Sequence, residues 1–131
     1  MTCEHIAMLA KRYPQIEEVW LIGSRAEGLE RANSDWDYLV FANERLINSL
    51  RQKPELYRED VDLLVVYDGD RFKSPWRDGA RVKSGSLSEW DWKVVGEGEA
   101  TYRATKWRSD SDFNMNLREA RGRRVWKRGL R

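Results

Sequence analysis

Three short apolar runs, separated by polar and amphipathic segments, dominate the first half of the chain. Runs of this length bounded by turn residues are typical of buried strands, whereas apolar residues at three- and four-residue spacing are typical of helices. The pattern predicts helices over residues 3–12 and 42–52, and strands over residues 19–22, 38–41 and 61–67. A strand, a crossover helix and a second strand in this order favour an α/β unit with buried strands.

The second half of the chain has a different pattern. Residues 68–88 are rich in Gly, Ser and charge, and we expect them to be mostly loop. A final helix is predicted over residues 112–127, and its inward side chains would be Phe113, Leu117 and Ala120. Between these segments, residues alternate on either side of a Gly-Glu-Gly turn and predict a hairpin. They are Trp90, Trp92, Val94, Tyr102, Ala104 and Lys106.

Composition excludes several kinds of site. A chain of 131 residues is about one domain, so we expect a single domain over residues 1–131. With one cysteine, Cys3, and one histidine, His5, it has neither a disulfide framework nor a cysteine- or histidine-rich zinc site. Any bound metal must be held by carboxylates. No apolar run approaches about 20 residues, so we expect a soluble, cytoplasmic protein without a membrane partner.

The net charge of +2 conceals two halves of opposite sign. Residues 1–70 carry 8 basic and 14 acidic side chains, whereas residues 71–131 carry 16 basic and 8 acidic ones. An acidic half suits cations, and a basic half suits phosphates or an acidic partner. The tail from Arg121 has six cations, no acid and one aromatic residue, Trp126. It is either a solvated terminus or a segment that binds RNA or a protein.

Three acidic residues are the candidates for metal binding. Asp35 and Asp37 are two positions apart at the start of a predicted strand, so in an extended chain their carboxylates share a face. Asp62 lies in a second predicted strand that can pair beside the first. Mg²⁺ prefers oxygen ligands and commonly combines carboxylates with substrate phosphates. The alternative, that these are ordinary turn and strand-edge acids, is less favoured because three of them coincide.

A Gly-Ser pair follows the first predicted strand. Gly23 permits close approach, and Ser24 adds a hydroxyl to a turn whose backbone N–H groups can bind phosphate, although both residues could have purely structural roles. Arg25 is either a triphosphate contact or a surface arginine. A phosphate cradle beside clustered carboxylates is what metal-assisted phosphoryl or nucleotidyl transfer requires. Asp62 is our candidate for taking the proton of the attacking hydroxyl.

The combination resembles the signature of the DNA polymerase β-like nucleotidyltransferase superfamily. The motifs that carry it are Gly23-Ser24, Asp35-Trp36-Asp37 and Asp62. The extended motif from Gly23 to Gly28 is most similar to minimal nucleotidyltransferases of bacteria and archaea. The resemblance covers residues 17–67. It implies an α/β (α+β) fold, a mixed β-sheet with flanking helices, to which the patterns above add a C-terminal β-hairpin and helix.

The resemblance also implies roles for the candidate residues. Asp35 and Asp37 would bind two Mg²⁺ ions, and Asp62 would be a further ligand or the base. Gly23 and Ser24 would contact the triphosphate of ATP or another NTP, and Arg25 would be a nearby cation. The implied activity is Mg²⁺-dependent transfer of a nucleoside monophosphate to a hydroxyl acceptor.

The acceptor is open at this stage. Minimal members of the superfamily include antitoxins that act beside a helical toxin protein, so a protein partner in a toxin–antitoxin pair is the leading setting. A small-molecule (antibiotic) acceptor is the second option, and it would call for a homo-oligomer because such enzymes normally carry a further helical domain. The alternative from another class is a non-catalytic module that binds RNA or a protein through residues 71–131.

Overall fold

The computed structural model describes residues 2–30, 32–76, 83–105 and 117–129, and within them the chain forms three α-helices and eight strands. In chain order these are α1 (Thr2–Arg12), β1 (Glu18–Ile22), α2 (Ser24–Glu27), β2 (Trp36–Phe41), α3 (Glu44–Arg51), β3 (Val61–Tyr67), β4 (Arg71–Lys73), β5 (Ser84–Ser86), β6 (Lys93–Gly96), β7 (Glu99–Thr105) and β8 (Leu117–Lys127). Two 3₁₀ turns cover Pro54–Leu56 and Leu87–Trp90. None of the helices in the described ranges is long and apolar enough to cross a bilayer.

The predicted elements of the first half are confirmed. The apolar runs form β1, β2 and β3, and the two helical patterns form α1 and α3. The Asn43 side chain accepts a hydrogen bond from the Leu46 N–H at 3.2 Å, which satisfies one free amide at the start of α3. Leu46, Ile47 and Leu50 are buried on one side of that helix, as the spacing predicts.

All eight strands belong to one mixed sheet, in the order β5-β4-β3-β2-β1-β8-β7-β6. The pair β2–β3 is parallel and every other pair is antiparallel. A parallel pair needs a long crossover, which α3 and the following 3₁₀ turn supply. Both halves of the chain therefore contribute strands to the same sheet, and the mixed sheet implied by the resemblance is confirmed.

The sheet has to curl, because its two edge strands are joined by a short connection. β5 and β6 lie at opposite edges, and only residues 87–92 join them, which span at most about 25 Å. A flat sheet of eight strands would be roughly 33 Å wide. Trp90 bridges the two sides, with its ring 4.7 Å from that of Phe72 on β4 and 5.8 Å from that of Tyr102 on β7.

Each face of the sheet has its own core. On the first face, strand residues such as Val19, Tyr38 and Val65 pack with Leu9 of α1 and Leu46 of α3. The second face is the inner side of the curl and is rich in aromatic residues. Its members include Trp20, Leu39, Leu64, Phe72, Tyr102 and Ala120, with Trp90 and Trp92 packed against them. The two tryptophans are partly buried against this core.

The predicted C-terminal helix is wrong over the part that can be compared. Residues 117–127 form β8, which is hydrogen-bonded between β1 and β7, while residues 112–116, including Phe113, lie outside the described residues. Ala120 and Gly122 are buried two positions apart, which is strand periodicity. A β-carbon on Gly122 would be only 3.2 Å from Ile22 Cγ2, so β8 needs a glycine to pack this closely.

The prediction that residues 68–88 are mostly loop is also wrong in part. They contain β4 and β5, which extend the sheet beyond β3, and the 3₁₀ turn that follows them. Phe72, with 6% exposure, anchors β4 in the inner core. Residues 77–82 lie outside the described part of the chain. The predicted hairpin is confirmed as β6 and β7, but Trp90 and Trp92 lie before β6, and Lys106 is outside the described residues.

Two cations of the basic tail are engaged within the fold. The Arg128 guanidinium donates hydrogen bonds to the carbonyl oxygens of Ala10 at 2.7 Å and Ile16 at 2.8 Å, and it lies 4.9 Å from the centre of the Trp126 ring. Arg124 lies over Trp20, 6.0 Å from its ring centre. Trp126 itself packs against the helix-side core. This end of the tail therefore ties β8 to the C-terminal end of α1.

We expect Arg128→Met to destabilise the protein by about 1–2 kcal/mol, because carbonyl groups near the end of α1 would lose a charged donor. Urea unfolding followed by tryptophan fluorescence measures the effect. Arg123→Met removes the same charge from an exposed position on β8 and should change the free energy of unfolding by less than about 0.5 kcal/mol. Equal losses in the two variants would contradict the proposed anchoring role of Arg128.

Candidate active site

Asp37 and Asp62 meet at one end of the central strands. They are register partners across the parallel pair β2–β3, so their side chains leave neighbouring strands on the same face. Both are half-buried. Asp35 is exposed and lies just before β2, whose first residue, Trp36, donates its N–H to the Asp60 carbonyl at 2.8 Å. The structure thus brings two of the three predicted acids together directly, with the third beside them.

The electrostatics of Asp37 reflect this crowding. Its pKa is raised to about 6, mainly because burial penalises the charged form and also because of the neighbouring charge of Asp62. Asp35 adds a smaller effect in the same direction, and Lys83 acts against it. An acid held in this way is stabilised by any cation that comes between the carboxylates. The arrangement therefore favours cation binding, and it lowers the stability of the folded chain when no cation is bound.

Gly23 lies directly against Asp37. β1 ends at Ile22, which is paired with Asp37, and Gly23 then turns the chain with φ +76°. A β-carbon at this position would overlap the Asp37 carboxylate, whose Cγ would be 3.2 Å away. The absence of a side chain is what allows the turn after β1 to touch the acid. The sequence motif therefore has a steric explanation in this fold.

The backbone of the Gly-Ser turn is partly engaged within the chain. The Gly23 N–H donates to the hydroxyl of Tyr102 at 2.9 Å. Ser24 is the first residue of α2, and the N-cap position is occupied by Gly23, so Ser24 does not cap this helix. Tyr102 is a site residue that the sequence analysis missed, because it lies 79 positions from Gly23 and no local motif marks it.

Arg25 supports the loop that leads to the acids. Its Nε donates to the Ser34 carbonyl at 2.9 Å, and its guanidinium lies 4.2 Å from the centre of the Trp36 ring. These contacts hold the segment on either side of Asp35. Trp36 stacks on Tyr38, 6.5 Å away, and both pack with the core on the face opposite to Asp37. Arg25 thus has a structural role beside any contact with phosphate.

Lys83 is a second residue that the sequence analysis missed. Its Nζ donates to Asp62 Oδ2 in an ion pair, from the segment that leads into β5. No sequence signal marks it, since it lies within a stretch predicted to be loop. Across the described ranges, no three His, Cys, Asp or Glu side chains are arranged as a metal-binding group. Among the described residues, the cation that pairs with these acids is therefore the Lys83 ammonium group.

The donor set nevertheless fits a divalent cation. Two half-buried carboxylates lie side by side on adjacent strands, a third is beside them, and the pKa of Asp37 is raised mainly by burial and also by the charge of Asp62. The neighbouring turn carries no side chain at Gly23 and places the Ser24 hydroxyl next to it. A site of this kind can hold a metal-bound phosphate and take a proton from an attacking group.

Comparison with known proteins gives one family. Residues 4–59 match the family described as Polymerase beta, Nucleotidyltransferase. The matched segment includes Gly23, Ser24, Arg25, Asp35 and Asp37 and ends before Asp62. No curated protein matches the sequence significantly.

A solved structure is also similar, the “putative nucleotidyltransferase from Sulfolobus solfataricus”. It is 25% identical, with 66% of this chain and 75% of that chain covered and a TM-score of 0.44. The finer resemblance to minimal nucleotidyltransferases stays a prediction. The family match over residues 4–59 confirms the resemblance to the DNA polymerase β-like nucleotidyltransferase superfamily that the motifs predicted.

Proposed function

We propose that the protein transfers a nucleoside monophosphate from a Mg²⁺-bound NTP, most simply ATP, to a hydroxyl acceptor. The observation that carries the proposal is the juxtaposition of Asp37, Asp62 and Gly23. Three elements far apart in sequence converge so that two carboxylates and an unobstructed turn share one end of the sheet. A purely structural role does not explain why half-buried acids are set against each other there, since that arrangement costs stability.

Asp35 and Asp37 are the residues that would hold two Mg²⁺ ions, with Asp62 as a further ligand or as the base. When bound, the metal supplies charge neutralisation of the phosphates and of the leaving pyrophosphate. The pKa of Asp37 is raised, so its charged form is disfavoured, and a bound cation would stabilise that form. Asp62, with 17% of its side chain exposed, can still reach a substrate hydroxyl.

The turn after β1 would hold the triphosphate. Gly23 contributes by leaving space beside Asp37, and Ser24 contributes its hydroxyl. Arg25 adds positive charge while it fixes the loop before Asp35. Tyr102, on β7, positions the turn by accepting the Gly23 N–H. These residues act by binding and orienting the nucleotide, so that the acceptor hydroxyl meets the α-phosphorus with its proton directed at Asp62.

The acceptor that we favour is a hydroxyl on a partner protein, in the toxin–antitoxin setting implied by the resemblance to minimal nucleotidyltransferases, with the cytoplasm as its location. Binding of RNA through the basic half is less favoured than its sequence suggested, because Arg124 and Arg128 are occupied in packing within the chain. A search with labelled ATP distinguishes a small-molecule acceptor from a protein acceptor. Label on a protein band supports the protein acceptor, and label on an added aminoglycoside contradicts it.

Isothermal titration of ATP with Mg²⁺ tests the nucleotide site. We expect the Asp35→Ala/Asp37→Ala variant to bind at least about tenfold more weakly than the wild type, because it loses the carboxylates that share the metal with the phosphates. Circular dichroism checks that the variant is folded.

The matched control is Glu97→Ala/Glu99→Ala, which removes two acids from the β6–β7 hairpin and should bind like the wild type. Wild-type binding that does not depend on Mg²⁺, or equal binding by the Asp35→Ala/Asp37→Ala variant, would contradict the proposed function.

A further inference from the structure

The ion pair between Lys83 and Asp62 has no part in the transfer described above. It forms where β3 begins, next to the register partner Asp37. The Asp62 side chain is 17% exposed, whereas that of Lys83 is 47% exposed. The ammonium therefore reaches a largely buried acid from the surface. It bonds to a carboxylate oxygen that a divalent cation would also use.

The backbone of Lys83 is fixed, although its side chain is long. Its N–H donates to Ser74 Oγ at 3.0 Å, and its carbonyl accepts from the Ser74 N–H at 2.8 Å. Ser74 is buried, with 2% exposure, at the end of β4. The four-carbon side chain has freely rotating bonds, so the ammonium can leave Asp62 without any movement of the strand.

The charge of Lys83 also acts on the neighbouring acid. Burial is the main cause of the raised pKa of Asp37, and the charges of Asp62 and Asp35 add to it. Among the described residues, Lys83 is a cation that opposes them. The Lys83 ammonium thus places a positive charge beside Asp62 and its register partner Asp37, as an internal counter-ion would.

We propose that Lys83 is exchanged for the metal: a divalent cation must displace its ammonium from Asp62 before the nucleotide binds productively. The inference rests on the proposed function, because it takes the acids as metal ligands. An ammonium has three donors and no acceptor, so it competes with a metal for carboxylate oxygen and cannot share in ligating it. Lys83 should therefore lower the affinity of the nucleotide-free chain for metal.

A titration of the full chain with Mn²⁺ alone, followed by the electron paramagnetic resonance signal of free Mn²⁺, tests the exchange. We expect Lys83→Met to bind Mn²⁺ about two- to fivefold more tightly than the wild type, because removal of an ion pair with a half-exposed partner has an effect of this size. Lys73→Met is the matched control: it removes the same charge from β4 and should stay close to the wild type. Lys83→Arg keeps the charge and should not gain affinity.

Equal or weaker binding of Mn²⁺ by Lys83→Met would overturn the inference, and so would an equal gain in Lys73→Met, which would indicate only long-range charge. A failure to bind Mn²⁺ in all variants would overturn it as well. The measurement contains no nucleotide, so the two proposals fail separately. If the wild type binds ATP in a Mg²⁺-dependent way but Lys83→Met has unchanged affinity for Mn²⁺, the proposed transferase function stands and the proposed exchange of Lys83 for metal is wrong. Tighter Mn²⁺ binding by Lys83→Met without any ATP binding would contradict the transferase and leave only the displacement of Lys83 by a metal ion.

Discussion

Asp37→Asn is expected to reduce nucleotidyl transfer by about a thousandfold and, at pH 7.5, to make the protein more stable. The activity falls because the neutral amide is a poor metal ligand in place of a carboxylate. The stability rises because the carboxyl of Asp37 is ionised at this pH although its pKa is raised from 3.8 to about 6. Removal of a penalised charge should stabilise the folded chain by roughly 1–3 kcal/mol, or several degrees in Tm.

The pH dependence has a definite sign. An acid whose pKa is raised by folding binds more protons in the folded chain than in the unfolded chain between about pH 4 and pH 6. Wild-type stability attributable to this group therefore falls as pH rises through that window and stays low above it. The advantage of Asp37→Asn should be full at pH 7.5 and absent near pH 3.5. Differential scanning fluorimetry at a series of pH values measures it.

Asp68→Asn is the matched control, since it makes the same chemical change at an exposed turn after β3 where Asn tolerates the positive φ equally well. We expect it to alter neither transfer nor the pH profile. Addition of Mg²⁺ should raise the Tm of the wild type and leave that of Asp37→Asn unchanged. If Asp37→Asn is less stable than the wild type at pH 7.5, Asp37 has a structural role. If Asp37→Asn has full activity, Asp37 is not part of the active site.

The central part of the fold was predictable because its signals are local and strong. β1, β2 and β3 are short apolar runs in the middle of a sheet, so nearly every side chain on them is apolar. The position of Asp62 beside Asp37 followed from the same pattern, because a strand–helix–strand unit places the two strands parallel and adjacent. The acids at the beginning of those strands are brought together by the topology.

The C-terminal strand was not predictable from local pattern. Its residues Leu117 to Ala120 combine good helix formers with apolar positions three apart. What makes the segment a strand is the gap between β1 and β7, whose free N–H and C=O groups need partners. Gly122 is the one local residue that argues against a helix. Tertiary pairing therefore outweighed helix propensity in β8.

Tyr102 and Lys83 could not be predicted as site residues for a related reason. Tyr102 alternates with other strand residues and has the pattern of an ordinary core aromatic, yet its hydroxyl reaches Gly23 because only β8 separates β7 from β1. Lys83 reaches Asp62 only because β4 and β5 extend the sheet at that edge. Both contacts depend on a long-range arrangement of strands. The residues of the site that carry a motif could be found from sequence, and those that the fold brings in could not.

Gly23→Ala is expected to destabilise the protein by about 2–4 kcal/mol and to weaken Mg²⁺-dependent ATP binding even where the variant is folded. At φ +76° and ψ −163°, Gly23 occupies a region that is essentially limited to glycine. Its new β-carbon would also overlap the Asp37 carboxylate and push it away from Asp62. Gly28→Ala is the matched control, since Gly28 has φ +72° but open space around it, and should cost only about 1 kcal/mol.

A double-mutant cycle separates the two causes of that loss. Backbone strain at residue 23 is the same whatever occupies position 37, whereas the steric overlap disappears when the carboxylate is removed. Gly23→Ala should therefore cost about 1–2 kcal/mol less in an Asp37→Ala background than in the wild type, measured by urea unfolding at pH 7.5. An equal cost in both backgrounds would mean that the turn after β1 does not press on Asp37. In that case the Gly-Ser motif would be required by backbone conformation alone, and its contact with the acid would not explain why the motif and the carboxylates occur together.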